Sequence, residues 1–350
     1  MSILVTGGAG FIGSNFVLDW LAQSDEPVVN LDKLTYAGNP ANLATLKGDA
    51  RHQLVVGDVA DTALVAALLQ AHQPRAILHF AAESHVDRSI AGAGNFIQSN
   101  ICGTFGLLEA ARTYWAGLAG QARDDFRFLH VSTDEVYGSL APDAPAFTET
   151  SAFQPNNPYS ASKAASDHLV RACGMTHGLP VLTTHCSNNF GPRQFPEKLI
   201  PVAIHNALAG RPIPVYGDGL HVRDWLYVAD HCSGLRRVLE RGRAGETYNL
   251  GGDSECTNLE VVLAVCRQLD QLRPRADGAS YKTQITMVAD RPGHDRRYAI
   301  DTSHIQHELG WRPTLTFQSG LEKTLGWYLD NPQWVMDIVS GAYRQRASLP

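Results

Sequence analysis

The chain has 350 residues, of which 44% are hydrophobic and 18% charged. That length allows one large core or two domains, and the apolar content excludes a disordered chain. Lys+Arg 29 against Asp+Glu 35 leaves a net charge of −6, which argues against nucleic acid as the main partner.

In chain order, the first half alternates short apolar runs with longer helical stretches, the pattern of a parallel sheet joined by crossover helices. Ile3-Leu4-Val5 predicts a strand, Gly13 to Leu21 a helix, and Val28-Val29-Asn30-Leu31 the next strand. Further strands are expected at Gln53 to Val56, Ala76 to Phe80, Phe126 to Ser132 and Val181 to Cys186. Helices are expected near Ala60–His72, Phe96–Ala116 and Tyr159–Gly174. From Asn188 onward, Pro- and Gly-punctuated segments predict loops and short strands, with helices near Val228–Arg241, Asn258–Gln271, Ser303–Leu309 and Gln318–Leu329. Thr247 to Leu250 reads as a strand able to return to the first sheet. The expected architecture is α/β: a doubly wound parallel sheet of Rossmann type with a smaller C-terminal α+β substrate domain. Residues 1–187, rejoined by roughly 226–256, form the first domain; 188–225 and 257–350 form the second.

The uncharged run Ser89 to Leu108 is too polar for a bilayer span, so no membrane is expected. The first residues lack the marks of a secretory signal, and the six cysteines form no C-x-x-C pair. Reduced thiols and a cytoplasmic location are therefore expected.

The segment Val5 to Ser14 follows a strand and opens a helix. Gly7, Gly10 and Gly13 fit a spacing that permits a tight turn and close approach to a pyrophosphate, with Phe11 and Ile12 at the helix start. Asp32 ends the next strand, where an acid hydrogen-bonds ribose hydroxyls and repels a 2′-phosphate, so NAD is expected over NADP. A glycine turn followed by a surface Asp is the alternative. Asp58, after another strand, suits either the adenine amine or a helix cap. Phe80-Ala81-Ala82-Glu83-Ser84 ends a strand at the carboxyl edge, where small residues let a dinucleotide approach.

Tyr159 and Lys163 share a helix face at i and i+4, a spacing at which an ammonium favours the phenolate of a neighbouring base. Ser132 and Thr133 end the preceding strand with hydroxyls that suit the same substrate oxygen. The acids Asp134 and Glu135 follow directly; two such acids in a loop are either solvated or a general acid and base. Arg223 and Arg291 suit phosphate binding or ordinary ion pairs. His79, His85, His130 and His185 lack short ligand spacing and read as packing residues; no metal is expected.

The glycine loop and the Tyr-x-x-x-Lys pair resemble the extended short-chain dehydrogenase/reductase superfamily. The stretches Thr6–Ser14, Asp32–Asn39, Ala81–Ile90, Ser132–Gly138, Tyr159–Ala164, Phe195–Pro201, Arg223–Tyr227 and Asp290–Asp301 resemble, within it, the dTDP-glucose 4,6-dehydratase family. Thr133-Asp134-Glu135-Val136-Tyr137-Gly138 selects the dehydratase. The resemblance implies C4 oxidation with tightly bound NAD, loss of water across C5 and C6, and hydride return to C6, feeding a deoxysugar such as rhamnose. It makes Glu135 the base at C5 and Asp134 the acid at the C6 hydroxyl. Lys33, Thr35, Val59, Ser99 and Asn189 are implied near the cofactor. Ser84, Asn188, Lys198, Leu199, Pro214, Val215, Tyr216, Asn258, Asp290, Arg291, Pro292, Gly293 and His294 are implied near the nucleotide sugar, with Arg223. A homodimer through a four-helix interface is also implied, from helices near Phe96–Ala116 and Tyr159–Gly174. Departures are small: a short Gly138–Thr150 segment, and Ser99, Val59 and Phe190 where Thr, Ile and Tyr are usual. An epimerase or decarboxylase of the superfamily, or an NAD-sensing regulator without catalysis, are the rival readings.

Overall fold

A computed structural model describes residues 1–347, with side chains to 344. Its strands are β1 Ile3–Thr6, β2 Val28–Asp32, β3 His52–Val56, β4 Ala76–His79, β5 Arg127–Thr133, β6 Val181–Cys186, β7 Asn188–Phe190, β8 Ile213–Tyr216, β9 Val222–Tyr227, β10 Thr247–Leu250, β11 Glu255–Thr257 and β12 Ile285–Val288. Seven form a parallel sheet in the order β10-β6-β5-β4-β1-β2-β3. β1, β2, β4 and β6 are buried along their whole length, as expected of strands covered on both faces.

The order reverses beside β1, and ligands bind such open sheets at the carboxyl ends near that point. One apolar core lies between the sheet and the helices Phe11–Gln23 and Val228–Arg241. The other face packs on Thr62–His72, Thr104–Ala116 and Pro158–His177. A separate core around Phe190, Trp225, Val261 and Leu321 belongs to the later residues, whose sheets are β11-β9-β7 and β12-β8.

Two local features depart from the sequence reading. The stretch expected to be one helix from Phe96 contains a π-helical segment at Ile97–Gly103 before the regular helix Thr104–Ala116. Within it, Asn100 Nδ2 donates to the Glu83 carbonyl and to Ser162 Oγ, while Thr104 Oγ1 donates to the Asn100 carbonyl. Leu199–Leu208 is a full helix where loops and short strands were expected; its Ile200, Ala203, Ile204 and Ala207 face the second core at helical spacing.

Candidate active site

The glycine loop leaves β1 at Gly7, whose φ of +73° and crowding by Ala81 exclude a side chain: a Cβ there would lie 2.6 Å from the Ala81 nitrogen. Gly10 then precedes the helix Phe11–Gln23, which has no side-chain cap at its N-terminus. Asp32 is buried at the end of β2; Oδ2 accepts from the Ala9 amide at 2.8 Å and Oδ1 from the Leu34 amide at 2.8 Å. Burial raises its pKa, and those amides oppose the rise. Lys33 and Asp58 pair at 2.6 Å on the rim, and Asp58 Oδ1 also accepts from the Ala60 amide. Asp58 therefore serves the turn before Thr62 as well as facing the cavity.

One cavity is lined by Gly7, Gly10, Phe11, Ile12, Gly13, Asp32, Lys33, Thr35, Asp58, Val59, Phe80, Ala81, Ala82, Ser84 and Ser99. Its floor and far wall add Ser132, Thr133, Asp134, Glu135, Tyr159, Lys163, Asn188, Asn189 and Lys198. The uncapped helix start, the sterically required Gly7 and the acid closing β2 fit a dinucleotide, with phosphates at the helix and ribose at Asp32.

β5 delivers the chemistry. Thr133 Oγ1 accepts from the Glu135 amide at 3.3 Å and so caps the short turn Asp134–Tyr137. Gly138 ends that turn at φ +88°, where a Cβ would lie 2.3 Å from the Gln154 carbonyl oxygen. Asp134 is 1% exposed and its Oδ2 has no hydrogen-bond partner. Burial, then the charges of Glu135 and Asp224, hold its carboxyl well above the usual range, so it keeps its proton.

Tyr159 sits in the first turn of Pro158–His177, fixed by Pro158 and by reciprocal bonds between Asn157 and Ser160. Burial, followed by the Glu135 charge, holds its phenol well above the ordinary value, while the Thr133 hydroxyl lowers it. The expected lowering by Lys163 is thus outweighed: in the folded chain desolvation dominates. Lys163 Nζ donates to the Val131 carbonyl at 3.0 Å. Ser132 lines the cavity, and its Oγ donates its hydrogen to Asp167 Oδ2 at 2.9 Å. Thr133 is the hydroxyl beside Tyr159.

Residues expected around the nucleotide are split. Lys198 lines the cavity and donates Nζ to the Ser84 carbonyl at 2.9 Å. Leu199, Pro214, Val215, Tyr216, Arg223, Asn258, Asp290, Arg291, Pro292, Gly293 and His294 lie outside its lining. Val215 is fully buried in the second core. Arg223 is buried over the Tyr298 ring, with Nη1 and Nη2 donating to the Val222 and Asp295 carbonyls, so a fork held wholly for phosphate is not what its surroundings provide. Arg291 approaches Asp87 at 3.5 Å.

His221, absent from the sequence reading, stacks on His294 at 3.7 Å, and both contact Asp290. Their possible ligand atoms lie within 4.8 Å of one another. Two rings only 15° from parallel aim their in-plane lone pairs side by side rather than at one point, so the trio is a hydrogen-bonded cluster poorly shaped for an ion. His130 and His185, read as packing residues, instead flank the Asp167 carboxylate at 3.0 Å each. Other cavity residues missed include Leu31, Val131, Cys186, Ser187, Gln194 and Glu197. Glu197 accepts from Tyr36 Oη at 3.0 Å, joining the loop after β2 to the later residues. Its place beside Lys198 was the available signal.

A dinucleotide loop, a Tyr/Lys pair and a second lobe behind two acids define the extended short-chain dehydrogenase/reductase fold class. The GDP-mannose 4,6 dehydratase family matches residues 4–324, and the chain belongs to that family. It is 63% identical to a dTDP-glucose 4,6-dehydratase of Xanthomonas campestris pv. campestris, over 97% of each chain. A crystal structure of dTDP-glucose 4,6-dehydratase from Streptomyces venezuelae with NAD bound is 47% identical, with a TM-score of 0.87, covering 97% of this chain and 100% of the other. UDP-glucose 4-epimerase from Thermotoga maritima is 25% identical with a TM-score of 0.83, covering 95% of this chain and 100% of that one. The fold is therefore common to dehydratase and epimerase, and the site has to separate them.

Proposed function

We propose that this chain is an NAD-dependent dTDP-glucose 4,6-dehydratase, forming dTDP-4-keto-6-deoxyglucose and water. The observation that carries the reading is the placement of Asp134 and Glu135 in the same cavity as Tyr159, Lys163 and the glycine loop, with Asp134 kept protonated by burial. An epimerase needs only the redox pair; elimination needs an additional acid and base.

In this reading Tyr159, once converted to its phenolate with the Lys163 ammonium beside it, takes the C4 hydroxyl proton on Oη, and Thr133 Oγ1 orients that oxygen. Bound NAD, held by the glycine loop and Asp32, would supply the hydride acceptor for C4 and the hydride donor for C6. The C5 hydrogen is acidic once C4 is a ketone; the Glu135 carboxylate takes it, and returns a proton to C5 when the hydride reaches C6. Asp134 gives its proton to the C6 oxygen, which leaves as water. One carboxyl kept neutral beside one that acts as base is the division expected where two acids have different surroundings. Residues 1–187 with 226–256 hold the cofactor and reacting carbons. Residues 188–225 with 257–350 hold the nucleotide, through Lys198, Arg223, Arg291 and the Asp290 to His294 segment.

A homodimer through the helices near Phe96–Ala116 and Tyr159–Gly174 belongs to the same proposal; Ile97 and Phe105 on the first are half exposed and apolar. A cytoplasmic location accords with the described helices, none of which is long and apolar enough to cross a membrane. The test is turnover of purified protein with dTDP-, UDP- and CDP-glucose without added NAD. A 4-keto product from dTDP-glucose is expected, and its absence, or a C4 epimer instead, would overturn the reading.

A further inference from the structure

We propose that Asp167 is a positioning residue for the redox pair, a buried carboxylate that keeps Lys163 cationic from one helical turn away and ties the end of β5 into place. The inference rests on the dehydratase reading and concerns a group that reading does not use. Asp167 follows Lys163 by four residues on the helix Pro158–His177, so the two share a face, and both are at most 4% exposed. Each reaches the same strand: Lys163 Nζ bonds the Val131 carbonyl, and Asp167 Oδ2 accepts from Ser132 Oγ.

The carboxylate is also built in from two strands. His185 Nε2 on β6 bonds Oδ2 at 3.0 Å, and His130 Nε2 on β5 lies 3.0 Å from Oδ1. His185 Nδ1 reaches Tyr137 Oη at 2.7 Å, and that hydroxyl contacts Asn249 Oδ1 on β10 at 3.0 Å. On the other side His79 of β4 lies beside His130, and its ring nitrogens contact Thr6 and Thr104. A line of polar side chains thus runs beneath the cavity, and Asp167 is the anion in it.

Burying an ammonium costs its charge unless a counter-charge is near. Burial lowers the Lys163 pKa, the Asp167 charge opposes that, and the groups that act on it are few. Tyr159 and Asp167 share its helix, His130 comes from β5, Cys186 from β6 and His79 from β4. Burial pushes the Cys186 thiol up and the His79 and His130 rings down, so these three are neutral near pH 7. Tyr159 is a neutral phenol until it gives up its proton. Asp167 is the carboxylate in this set, and its histidine neighbours hold it ionised against its own burial. A lysine that lost its proton could not stabilise the phenolate at Tyr159.

The test reads the pH profile of C4 oxidation, followed as NADH absorbance in a single turnover with dTDP-glucose. Wild-type oxidation tests the dehydratase reading by itself; the variants test Asp167. Asp167→Asn is expected to move the alkaline limb down by about one to three pH units, the range of an opposite-charge effect, with tenfold less rate per unit above the new limb. Asp167→Glu, which keeps the charge, is expected to retain the wild-type limb at reduced amplitude. An Asn variant that is folded, holds NAD and shows only a uniform loss at every pH would overturn the proposal. Should the Asn variant not fold, wild type labelled with 15N at lysine Nζ decides the matter, with the Lys163 signal assigned by its absence from Lys163→Arg. An ammonium signal persisting above pH 8 supports the proposal, and a neutral amine at pH 7 overturns it.

Discussion

The cavity and the lobe beyond it are built on different principles. On the sheet side, side chains are aimed by strand ends: β1, β2 and β4 stop within one register of each other, β5 runs three residues further to Thr133, and each contributes at its carboxyl edge. On the other side, placement comes from loops pinned by buried polar contacts. Asp224 accepts from the Gly252 and Ser254 amides, Arg223 holds the Asp295 carbonyl, and Asp295 in turn bonds Asn156 and Tyr298. The sheet side is thus set by backbone architecture, whereas the lobe side depends on individual polar and charged side chains and can be changed one residue at a time.

Predictions that sharpen this contrast begin on the sheet side. Tyr159→Phe should slow NADH formation by about two to four orders of magnitude, the range typical of losing a general base; near-normal formation in stopped flow would remove Tyr159 from that role. Glu135→Gln should cut overall turnover by about 10²–10⁴ while still oxidising C4. Mass spectrometry should then find no solvent deuterium at C5, and substantial exchange would assign the base elsewhere. On the lobe side a smaller and purely binding effect is expected. Arg291→Ala, which removes one charged phosphate donor, should raise KM about tenfold or somewhat more with kcat little changed. A fall in kcat with constant KM would bring Arg291 into the chemistry and blur the contrast.

The smallest effect is on stability. In Asp134 the folded pKa is raised above the unfolded value of 3.8, so above about pH 4 the folded state binds more protons than the unfolded one. Stability contributed by the protonated carboxyl is therefore full below the unfolded pKa and is lost as pH rises toward the folded one. Asp134→Asn cannot titrate, so its Tm relative to wild type should climb between pH 5 and pH 8 even though elimination is lost. A pH-independent difference by calorimetry would show that the carboxyl is not held neutral.

The same contrast explains what the sequence made legible. Buried parallel strands appear as apolar runs, so β1, β2, β4, β5 and β6 could be located from runs such as Ile3-Leu4-Val5, and strand ends carry the glycine loop, Asp32 and Thr133 into the cavity. The π-helical Ile97–Gly103 could not be seen, because its register depends on Asn100 meeting Glu83 and Ser162 in space. The helix Leu199–Leu208 was hidden by Pro201, which is tolerated in its first turn. His221 and Asp167 were missed because nothing nearby in sequence reveals that distant residues need them. For Asp167 a signal existed: His130 and His185 are titratable rings inside buried strands, and such groups require partners.

The strand β10 carries a consequence for the order of events in synthesis. It completes the sheet beside β6, and its Asn249 does more than fill an edge: the amide bonds Glu149, Nδ2 reaches the Phe147 carbonyl, and Oδ1 meets the Tyr137 hydroxyl. The turn bearing Asp134 and Glu135 therefore gains this brace only when a segment more than a hundred residues downstream has left the ribosome. The packing of that turn thus depends on a contact between residues far apart in the chain.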